Sequence, residues 1–387
     1  MTGLYGFVKE TRNPQRAMHA LVRDHAETPA PAGPAPADTD PTGLLIAWDP
    51  ADLAGALDRL VAAHPERFSG PDALPSRPVP FHMRVLDAEV PPPIMLHPQM
   101  DHALAGYVRE QARGVPLTAG NRHYKDRYAK FEVAVAITDL CVLSGQRSME
   151  ELRIIADGLD LPWLHAVLSF RHESPVHAIL RMSSEEAARA LRETTGAVVS
   201  APEDEPLIAD AAAVVRRLDY LFPGDRGLLM ALCLNHIHLA PGQAMVTPAG
   251  CLHTYLSGQA MVVTSISENS LKAGLTKDYV DSYELQQILQ ADQPAPAPLP
   301  VVRTSDTEER IPLWSGDLGL RRVVAGEADT PVALDRFSVL LSAHGDARVT
   351  VDGVSADIEP GASILYLGDP ATAVVSGGAQ LFIASRR

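Results

Sequence analysis

The chain has 387 residues, a hydrophobic fraction of 46% and a formal net charge of −15 at pH 7. This length exceeds what one hydrophobic core usually serves, and the composition is that of a globular protein, so we expect two or three folded domains and exclude a disordered chain. The acidic charge, spread along the chain without a basic cluster, argues against a nucleic-acid partner, because Lys and Arg are needed to neutralise phosphates.

The middle of the chain is helical in pattern. Leu152, Ile155 and Leu159 illustrate the spacing, which places apolar side chains on one face of a helix. Ser183, followed by acidic residues, is a plausible N-cap. Three segments carry this pattern: Met149–Phe170, Ser183–Thr195 and Ala209–Leu221. We therefore predict an all-helical insert over residues 146–232.

The last part of the chain is β-like in pattern. The stretch Ala291–Pro300 is rich in Pro and Ala and lacks periodicity, which is typical of an interdomain linker. Short apolar runs follow it, separated by Gly, Asp and Pro turns. Short strands of this kind predict a sandwich or a small barrel.

One turn occurs twice. The segment Leu239–Gly250 is echoed by Ile358–Gly368, and each combines a strand end, a Pro-Gly pair and a second strand. A Pro-Gly pair fits a type II turn, in which Gly supplies a positive φ. The repetition suggests two duplicated barrels. Because the first copy continues to His253 whereas the second has Thr372 at the corresponding place, we expect any metal site in the first.

The cysteines and the apolar runs bear on localisation. Only three cysteines are present, Cys141, Cys233 and Cys251, and their spacing is not that of a metal site. So few cysteines, odd in number, favour a reducing compartment over a disulfide framework. We expect each of them to be a small apolar residue of the core. No run approaches the ~18 apolar residues of a membrane helix. We therefore predict a cytoplasmic protein without a membrane partner.

Three short neighbourhoods hold potential metal ligands. In each, two residues are two positions apart and so share one face of a strand. A lone His on such a strand is more often an ordinary core or surface residue, but a Glu in an apolar run needs a cation or hydrogen bonds nearby. Two imidazoles and a carboxylate can hold a divalent ion and leave positions open. The pairs are Met95 with His97, Lys130 with Glu132, and His253 with Tyr255.

These residues belong to a series of motifs that resembles the type I phosphomannose isomerases. The motifs occur in the order of that family, from about Leu74 to Leu289, whereas the segment before Leu74 matches poorly. The matching stretches are Arg84-Val-Leu, Ile94-x-x-His97-Pro98, Lys130-x-Glu132, Phe222-Pro-Gly-Asp-Arg-Gly, Leu239-x-Pro-Gly-Gln-Ala, His253-Thr-Tyr-Leu-Ser-Gly258 and Lys272-Ala-Gly-Leu-Thr276.

The resemblance implies a mainly β fold with a helical insert, made of two jelly-roll β-barrels of the cupin type plus an α-helical domain. We expect residues 1–145 together with 233–290 to form a metal-binding cupin domain. Residues 146–232 would form the helical domain, and residues 291–387 a C-terminal cupin-like barrel without metal.

The resemblance also implies the activity. The family carries out a zinc-dependent interconversion of mannose 6-phosphate and fructose 6-phosphate, here expected to pass through a cis-enediol, so the expected cofactor is one divalent metal, with Zn²⁺ as the first choice. By position, the metal ligands fall on His97, Glu132 and His253. The family's fourth ligand, a glutamine, falls on Met95. A thioether is a poor ligand for zinc, so the fourth contact is expected to be lost or supplied by water.

The remaining site residues follow the same resemblance. Isomerisation moves a proton between C1 and C2 and needs a base and a cation. Lys130 and Glu268 are the candidates for proton transfer, and Lys272 for electrostatic support in place of the family's arginine. The predicted substrate contacts are Arg84, Tyr255 and Lys277.

The sequence around Lys277 departs from the family in a way that bears on the identity of the substrate. The family's lysine after the Ala-Gly-Leu-Thr run is displaced, since Lys277 stands one place early and Asp278 occupies its position. Two alternatives to the family's reaction therefore stay open. One is a repurposed sugar isomerase or epimerase acting on a different substrate, whether phosphorylated or not, and the other is a non-catalytic sugar-binding cupin. The expected partner is a small sugar or sugar phosphate, and the expected assembly is a monomer or homodimer.

Overall fold

The computed structural model describes residues 43–47, 81–170, 174–290 and 296–386. Apart from Gly43–Ala47, the part of the predicted first domain before Phe81 lies outside the described residues, as do residues 291–295 of the predicted linker. The strands up to the linker are β1 (Gly43–Ala47), β2 (His82–Asp87), β3 (Ile94–Leu96), β4 (Glu132–Ala136), β5 (Leu140–Gln146), β6 (Leu234–Leu239), β7 (Ala244–Thr247), β8 (His253–Ser257), β9 (Gln259–Thr264) and β10 (Leu271–Gly274).

The helices lie mainly between β5 and β6. They are α1 (Met100–Ala112), α2 (Met149–Gly158), α3 (Pro162–Leu168), α4 (Pro175–Arg181), α5 (Ser184–Ala197), α6 (Pro206–Leu221), α7 (Gly227–Cys233) and α8 (Ser282–Ile288). The remaining strands are β11 (Pro298–Leu299), β12 (Val302–Arg303), β13 (Glu308–Ile311), β14 (Leu318–Ala325), β15 (Thr330–Leu334), β16 (Phe337–His344), β17 (Ala347–Val351), β18 (Val354–Ile358), β19 (Ser363–Gly368), β20 (Ala371–Ser376) and β21 (Ala379–Arg386).

Two five-stranded antiparallel sheets enclose the first apolar core. Their strand orders are β10-β3-β8-β5-β6 and β11-β7-β4-β9-β2. Val142 and Tyr255 from the first sheet and Ala134 and Met245 from the second belong to one buried cluster between the sheets. Because successive strand residues alternate between faces, the outer faces of both sheets are free to pack elsewhere.

Those outer faces explain why the strands are buried on both sides. Val133 of β4 faces the core of the C-terminal sheets, where Phe81 packs edge-on against Phe337 with ring centroids 5.6 Å apart. Leu143 of β5 and Leu252 beside β8 face the helices instead. The first sheet pair therefore lies between the helical insert and the C-terminal sheets.

The C-terminal part has a seven-stranded sheet, β1-β19-β16-β21-β14-β13-β12, and a four-stranded sheet, β15-β20-β17-β18. Strand β1 pairs antiparallel with β19 and so extends this part of the molecule. None of the sheets closes on itself among the described strands. The mainly β fold with a helical insert is therefore confirmed, whereas the open sheets do not confirm the two closed barrels that the resemblance implied.

The repeated turn has the predicted geometry. Gly242 and Gly361 have φ values of 87° and 84°, which glycine adopts without steric cost. The first turn joins β6 to β7 and the second joins β18 to β19, and each connection passes from one sheet to another. The two copies of the motif thus occupy corresponding places in the two β regions.

The predicted helical segments are confirmed with shifted boundaries. The segment from Met149 divides into α2 and α3 because Asp160 adopts a φ of 48° and Pro162 starts a new helix. Ser183 caps α5 through a capping box with Glu186, as its position indicated. Helix α1 was not predicted, because only a narrow stripe of it is buried. No helix among the described residues is long and apolar enough to cross a membrane.

Candidate metal centre

His97, Glu132 and His253 converge between the two five-stranded sheets. His97 follows β3, Glu132 opens β4 in the opposite sheet, and His253 opens β8. Nε2 of His97 lies 3.9 Å from one carboxylate oxygen of Glu132, and Nε2 of His253 lies 3.7 Å from the other. The ligand atoms of the three residues all lie within 4.8 Å of one another. Each side chain is at most 1% exposed.

Backbone carbonyls orient both imidazoles. Nδ1 of His97 lies 3.1 Å from the carbonyl oxygen of Asn269, and Nδ1 of His253 lies 3.3 Å from that of Cys251. A carbonyl oxygen only accepts, so each Nδ1 carries the proton and each Nε2 keeps its lone pair. Nε2 of His97 is buried and makes no hydrogen bond within the described part of the chain. This is the arrangement in which a metal-ligating histidine is normally held, so the residues fit a divalent ion.

The environment keeps both imidazoles neutral. Burial, followed by the positive charge of Lys130, lowers the pKa of His97 to about 3. Burial also lowers the pKa of His253, against the opposing effect of the Glu132 charge. Removing an imidazolium from water is costly, and the neutral form is the one that binds a metal.

Glu132 is ionised despite its burial. Burial would raise the pKa of this carboxyl group, but the contact with His97 and the charge of Arg84 hold the pKa well below its usual range. Tyr255 donates a hydrogen bond of 2.7 Å to one carboxylate oxygen, and Arg84 donates one of 3.3 Å to the other. Burial, followed by the charge of Glu132, raises the pKa of Tyr255 well above its usual range, so its hydroxyl remains a donor.

Two predicted proton-transfer residues lie near this group. Lys130 is half-buried two residues before Glu132. Burial, followed by the charge of Arg84, lowers the pKa of Lys130, while the charge of Glu268 acts in the opposite direction. Glu268 is itself half-buried, with a carboxylate oxygen 3.9 Å from Nδ1 of His82. The structure therefore brings Lys130, Glu268 and Arg84 into one electrostatic environment.

Met95 and Lys272 occupy neighbouring strands beside the centre. Met95 pairs with His253 on one side and with Lys272 on the other. The Met95 sulfur accepts a hydrogen bond of 3.3 Å from the hydroxyl of Ser270. Lys272 forms an ion pair with Asp278, the acidic residue at the position of the family's lysine.

The other predicted substrate contacts differ in exposure. Arg84 and Tyr255 lie at the carboxylate of Glu132, so both belong to the interior of the centre. Lys277 is exposed. Of the two cationic residues among these contacts, Arg84 therefore lies inside the centre and Lys277 lies at the surface.

Asn269 is a residue of the candidate site that was not predicted from the sequence. It is fully buried, and its carbonyl oxygen orients His97. Its side-chain oxygen accepts from the backbone N–H of Lys125, while its amide donates to the carbonyl of Tyr128. It thus ties His97 to the segment that leads to Lys130. The one feature of the sequence that could have indicated Asn269 is its position directly after the predicted site residue Glu268.

The facing antiparallel sheets and the buried group of two histidines and one carboxylate define a β-sheet protein with a candidate metal centre between its sheets. No family model matches the chain. It is 29% identical to the mannose-6-phosphate isomerase of Shigella flexneri over 313 residues and 28% identical to that of Escherichia coli K12 over 312 residues, and each alignment covers 78% of both chains.

The same class of protein is found among solved structures. A zinc-bound mannose 6-phosphate isomerase has a TM-score of 0.71 and 27% identity, covering 80% of this chain and 79% of that one. The Salmonella typhimurium enzyme with bound fructose 6-phosphate and zinc has a TM-score of 0.70, with the same identity and coverage. The chain thus resembles phosphomannose isomerases at low identity over most of its length, in sequence and in fold, as the sequence motifs implied.

Proposed function

We propose that this protein is a zinc-dependent isomerase that interconverts mannose 6-phosphate and fructose 6-phosphate through a cis-enediol. The observation that carries the proposal is the buried convergence of His97, Glu132 and His253. The chain that holds them is similar in fold to a Salmonella typhimurium enzyme whose structure contains fructose 6-phosphate and zinc. Three protein ligands with an open position are typical of a catalytic zinc site.

The three ligands would hold one zinc ion. When bound, the ion supplies a positive charge that stabilises negative charge developing on substrate oxygens. The chain's own contribution is preorganisation. The carbonyls of Asn269 and Cys251 hold the imidazoles in the tautomer that presents Nε2, and the hydrogen bond from Tyr255 holds the carboxylate.

Lys130 and Glu268 are the proposed proton-transfer residues. The lowered pKa of Lys130 increases the fraction of neutral amine that can accept a proton near neutral pH. Glu268 would exchange a proton with the same region, which is supported by its half-buried carboxylate and by its electrostatic effect on the pKa of Lys130. Lys272, on the strand next to Met95, would support the developing negative charge.

Substrate recognition is proposed for Arg84, Tyr255 and Lys277. The exposed ammonium of Lys277 suits a phosphate group that reaches the rim of the pocket. Arg84 keeps a buried Nε that has no hydrogen-bond partner among the described residues. That donor can be offered to a substrate oxygen while Nη2 contacts Glu132.

The finer architecture is also a proposal. We infer that each pair of facing sheets is a cupin-type barrel, supported by the Pro-Gly turns that connect sheets in both β regions. Residues 1–145 with 233–290 would be the metal-binding domain, residues 146–232 the helical domain, and residues 291–387 the barrel without metal. Strand β1 precedes the metal-binding domain in sequence but would belong to the C-terminal barrel, because it pairs with β19.

Cellular setting and assembly follow from the same proposal. The free thiols of Cys141, Cys233 and Cys251 suit a reducing cytoplasm. A small-molecule sugar phosphate is the proposed partner, and the proposed assembly is a monomer or a homodimer.

A coupled assay on mannose 6-phosphate, combined with metal analysis, tests the function. The wild type is expected to turn over with zinc bound. His253→Ala is expected to lose zinc and to lower kcat/KM on the order of 1,000-fold, since the metal contributes several kcal/mol. His165→Ala, at an exposed histidine of α3, is the control. Turnover of metal-free His253→Ala at the wild-type rate would refute the proposal.

One observation favours a second candidate, an isomerase acting on an unphosphorylated sugar. The resemblance implies an arginine at position 272 and a lysine at position 278, which are two positive charges. This chain has Lys272 and Asp278 instead, and their ion pair has no net charge to attract a phosphate. Comparing kcat/KM for mannose and for mannose 6-phosphate distinguishes the two candidates. A higher value for mannose would establish the second.

A further inference from the structure

A second group of metal-ligating side chains lies on β5 and β6. Cys141 and His238 are register partners in this antiparallel pair, and His236 is two residues before His238. The three side chains therefore point to the same face of the sheet. Cys141 packs at the edge of the helical core, whereas its neighbour Val142 belongs to the cluster between the sheets. The group is thus on the outer face, opposite the candidate metal centre.

The ligand atoms of this group are close together. Sγ of Cys141 lies 3.3 Å from Nδ1 of His238, and the rings of His236 and His238 have centroids 4.2 Å apart. One ligand atom from each of the three residues falls within 4.8 Å of the others. The ligand atoms of the first centre lie within the same limit.

His236 is oriented as a metal ligand would be. Its Nδ1 lies 2.8 Å from a carboxylate oxygen of Asp210 on α6, and Arg147 contacts the other oxygen at 3.3 Å. Nδ1 of His236 therefore carries the proton that it donates to this carboxylate. A carboxylate in this position fixes the tautomer and leaves Nε2 as a donor atom to a metal.

The second ring nitrogen of His236 indicates that a ligand binds there. Its side chain is only 10% exposed, and Nε2 is buried without a hydrogen-bond partner in the described part of the chain. A buried polar atom of this kind normally has a partner. With Asp210 on its other nitrogen, the ring has only the Cys141 and His238 side available for one.

We propose that Cys141, His236 and His238 bind a second divalent ion of the zinc class, separate from the catalytic centre. A thiolate and two imidazoles suit Zn²⁺ or Co²⁺ and disfavour Mg²⁺ and Ca²⁺, which prefer oxygen ligands. Binding releases the thiol proton of Cys141 to solvent, and both imidazoles bind in the neutral form. Because β6 is an edge strand and Asp210 belongs to α6, the ion would fasten the sheet edge to the helical insert.

Zinc stoichiometry after exhaustive buffer exchange tests the site independently of isomerase activity. The wild type is expected to retain about two equivalents, and Cys141→Ser and His238→Gln about one. His238 is exposed, so His238→Gln should fold even if Cys141→Ser does not. His253→Ala should also retain about one equivalent, now at the second site. His165→Ala is the matched control and should match the wild type.

Cobalt spectroscopy identifies the ligand. Replacement of zinc by Co²⁺ is expected to produce a thiolate-to-cobalt charge-transfer band that Cys141→Ser abolishes and His253→Ala preserves. Cys251→Ser is the cysteine control, because Cys251 is buried beside Ser144 and outside the group. A zinc stoichiometry that is unchanged in both Cys141→Ser and His238→Gln would overturn the proposal, whether the wild type retains one equivalent or two.

Discussion

Met95 is the register partner of His253 across the antiparallel pair of β3 and β8. The side chain that replaces the family's glutamine therefore stands beside a histidine of the candidate metal centre. Its sulfur accepts a hydrogen bond from Ser270, which gives the thioether a role other than binding zinc. The centre is left with two imidazoles and one carboxylate as protein ligands, and the first prediction follows from this.

Met95→Gln is expected to tighten zinc binding on the order of 10-fold, because an amide oxygen is a better ligand than a thioether for a borderline ion. Competition with a chromogenic chelator measures the affinity. Met95→Leu is the matched control, since it keeps the apolar volume without a donor atom, and it should bind zinc as the wild type does. Equal affinities for the Gln and Leu variants would show that position 95 does not reach the ion.

Lys130→Met is expected to lower kcat by about 100-fold or more, because the loss of a general base costs 10²–10⁴ in rate. Zinc content should be unchanged, since Lys130 is not a ligand. Lys125→Met, at an exposed lysine of the same segment, controls for the loss of a charge. Steady-state kinetics together with metal analysis make the measurement. A fall in zinc content parallel to the fall in kcat would assign Lys130 a structural role instead.

Asp278→Asn is expected to remove a negative charge next to the proposed phosphate contact Lys277 and to lower KM for mannose 6-phosphate by about 2- to 5-fold, the range of a solvent-exposed ion pair. KM for mannose should stay the same, because the effect depends on the phosphate charge. Asp306→Asn, which removes an exposed aspartate paired with Arg303 in the C-terminal region, is the control. If KM for both sugars changes equally, Asp278 does not act through phosphate recognition.

Cys233 should make the protein less stable at alkaline pH. Burial raises the pKa of its thiol from 9.0 to about 12, so the unfolded chain loses this proton at lower pH than the folded chain. The stabilisation is complete below pH 9.0 and is lost as pH rises toward 12, at up to about 1.4 kcal/mol per pH unit.

Denaturant unfolding of metal-free protein between pH 8 and 10 measures this effect. Cys233→Ala is expected to flatten the decline relative to the wild type. Leu232→Ala, at a neighbouring buried residue without a titratable group, should lower the free energy of unfolding by a constant amount at every pH. Parallel curves for the wild type and Cys233→Ala would show that this thiol does not contribute.

Local features were predictable because they depend on neighbouring residues. The N-cap at Ser183 acts within one helical turn, and the positive φ of Gly242 and Gly361 is a property of the Pro-Gly pair. Period-two spacing likewise placed His253 and Tyr255 on one strand face, because alternation is inherent to an extended backbone. The three proposed ligands could be named from such spacing and from the resemblance to a family.

Contacts between distant segments were decided only by the tertiary structure. Arg84 meets Glu132, and the carbonyl of Asn269 holds His97, because sheet pairing and facing sheets bring together segments far apart in sequence. His236 and His238 stand two residues apart on one strand, but only the register of β5 with β6 brings Cys141 to them. The sequence by itself determined which side chains could bind a metal, and the pairing and facing of the strands decided which of them meet.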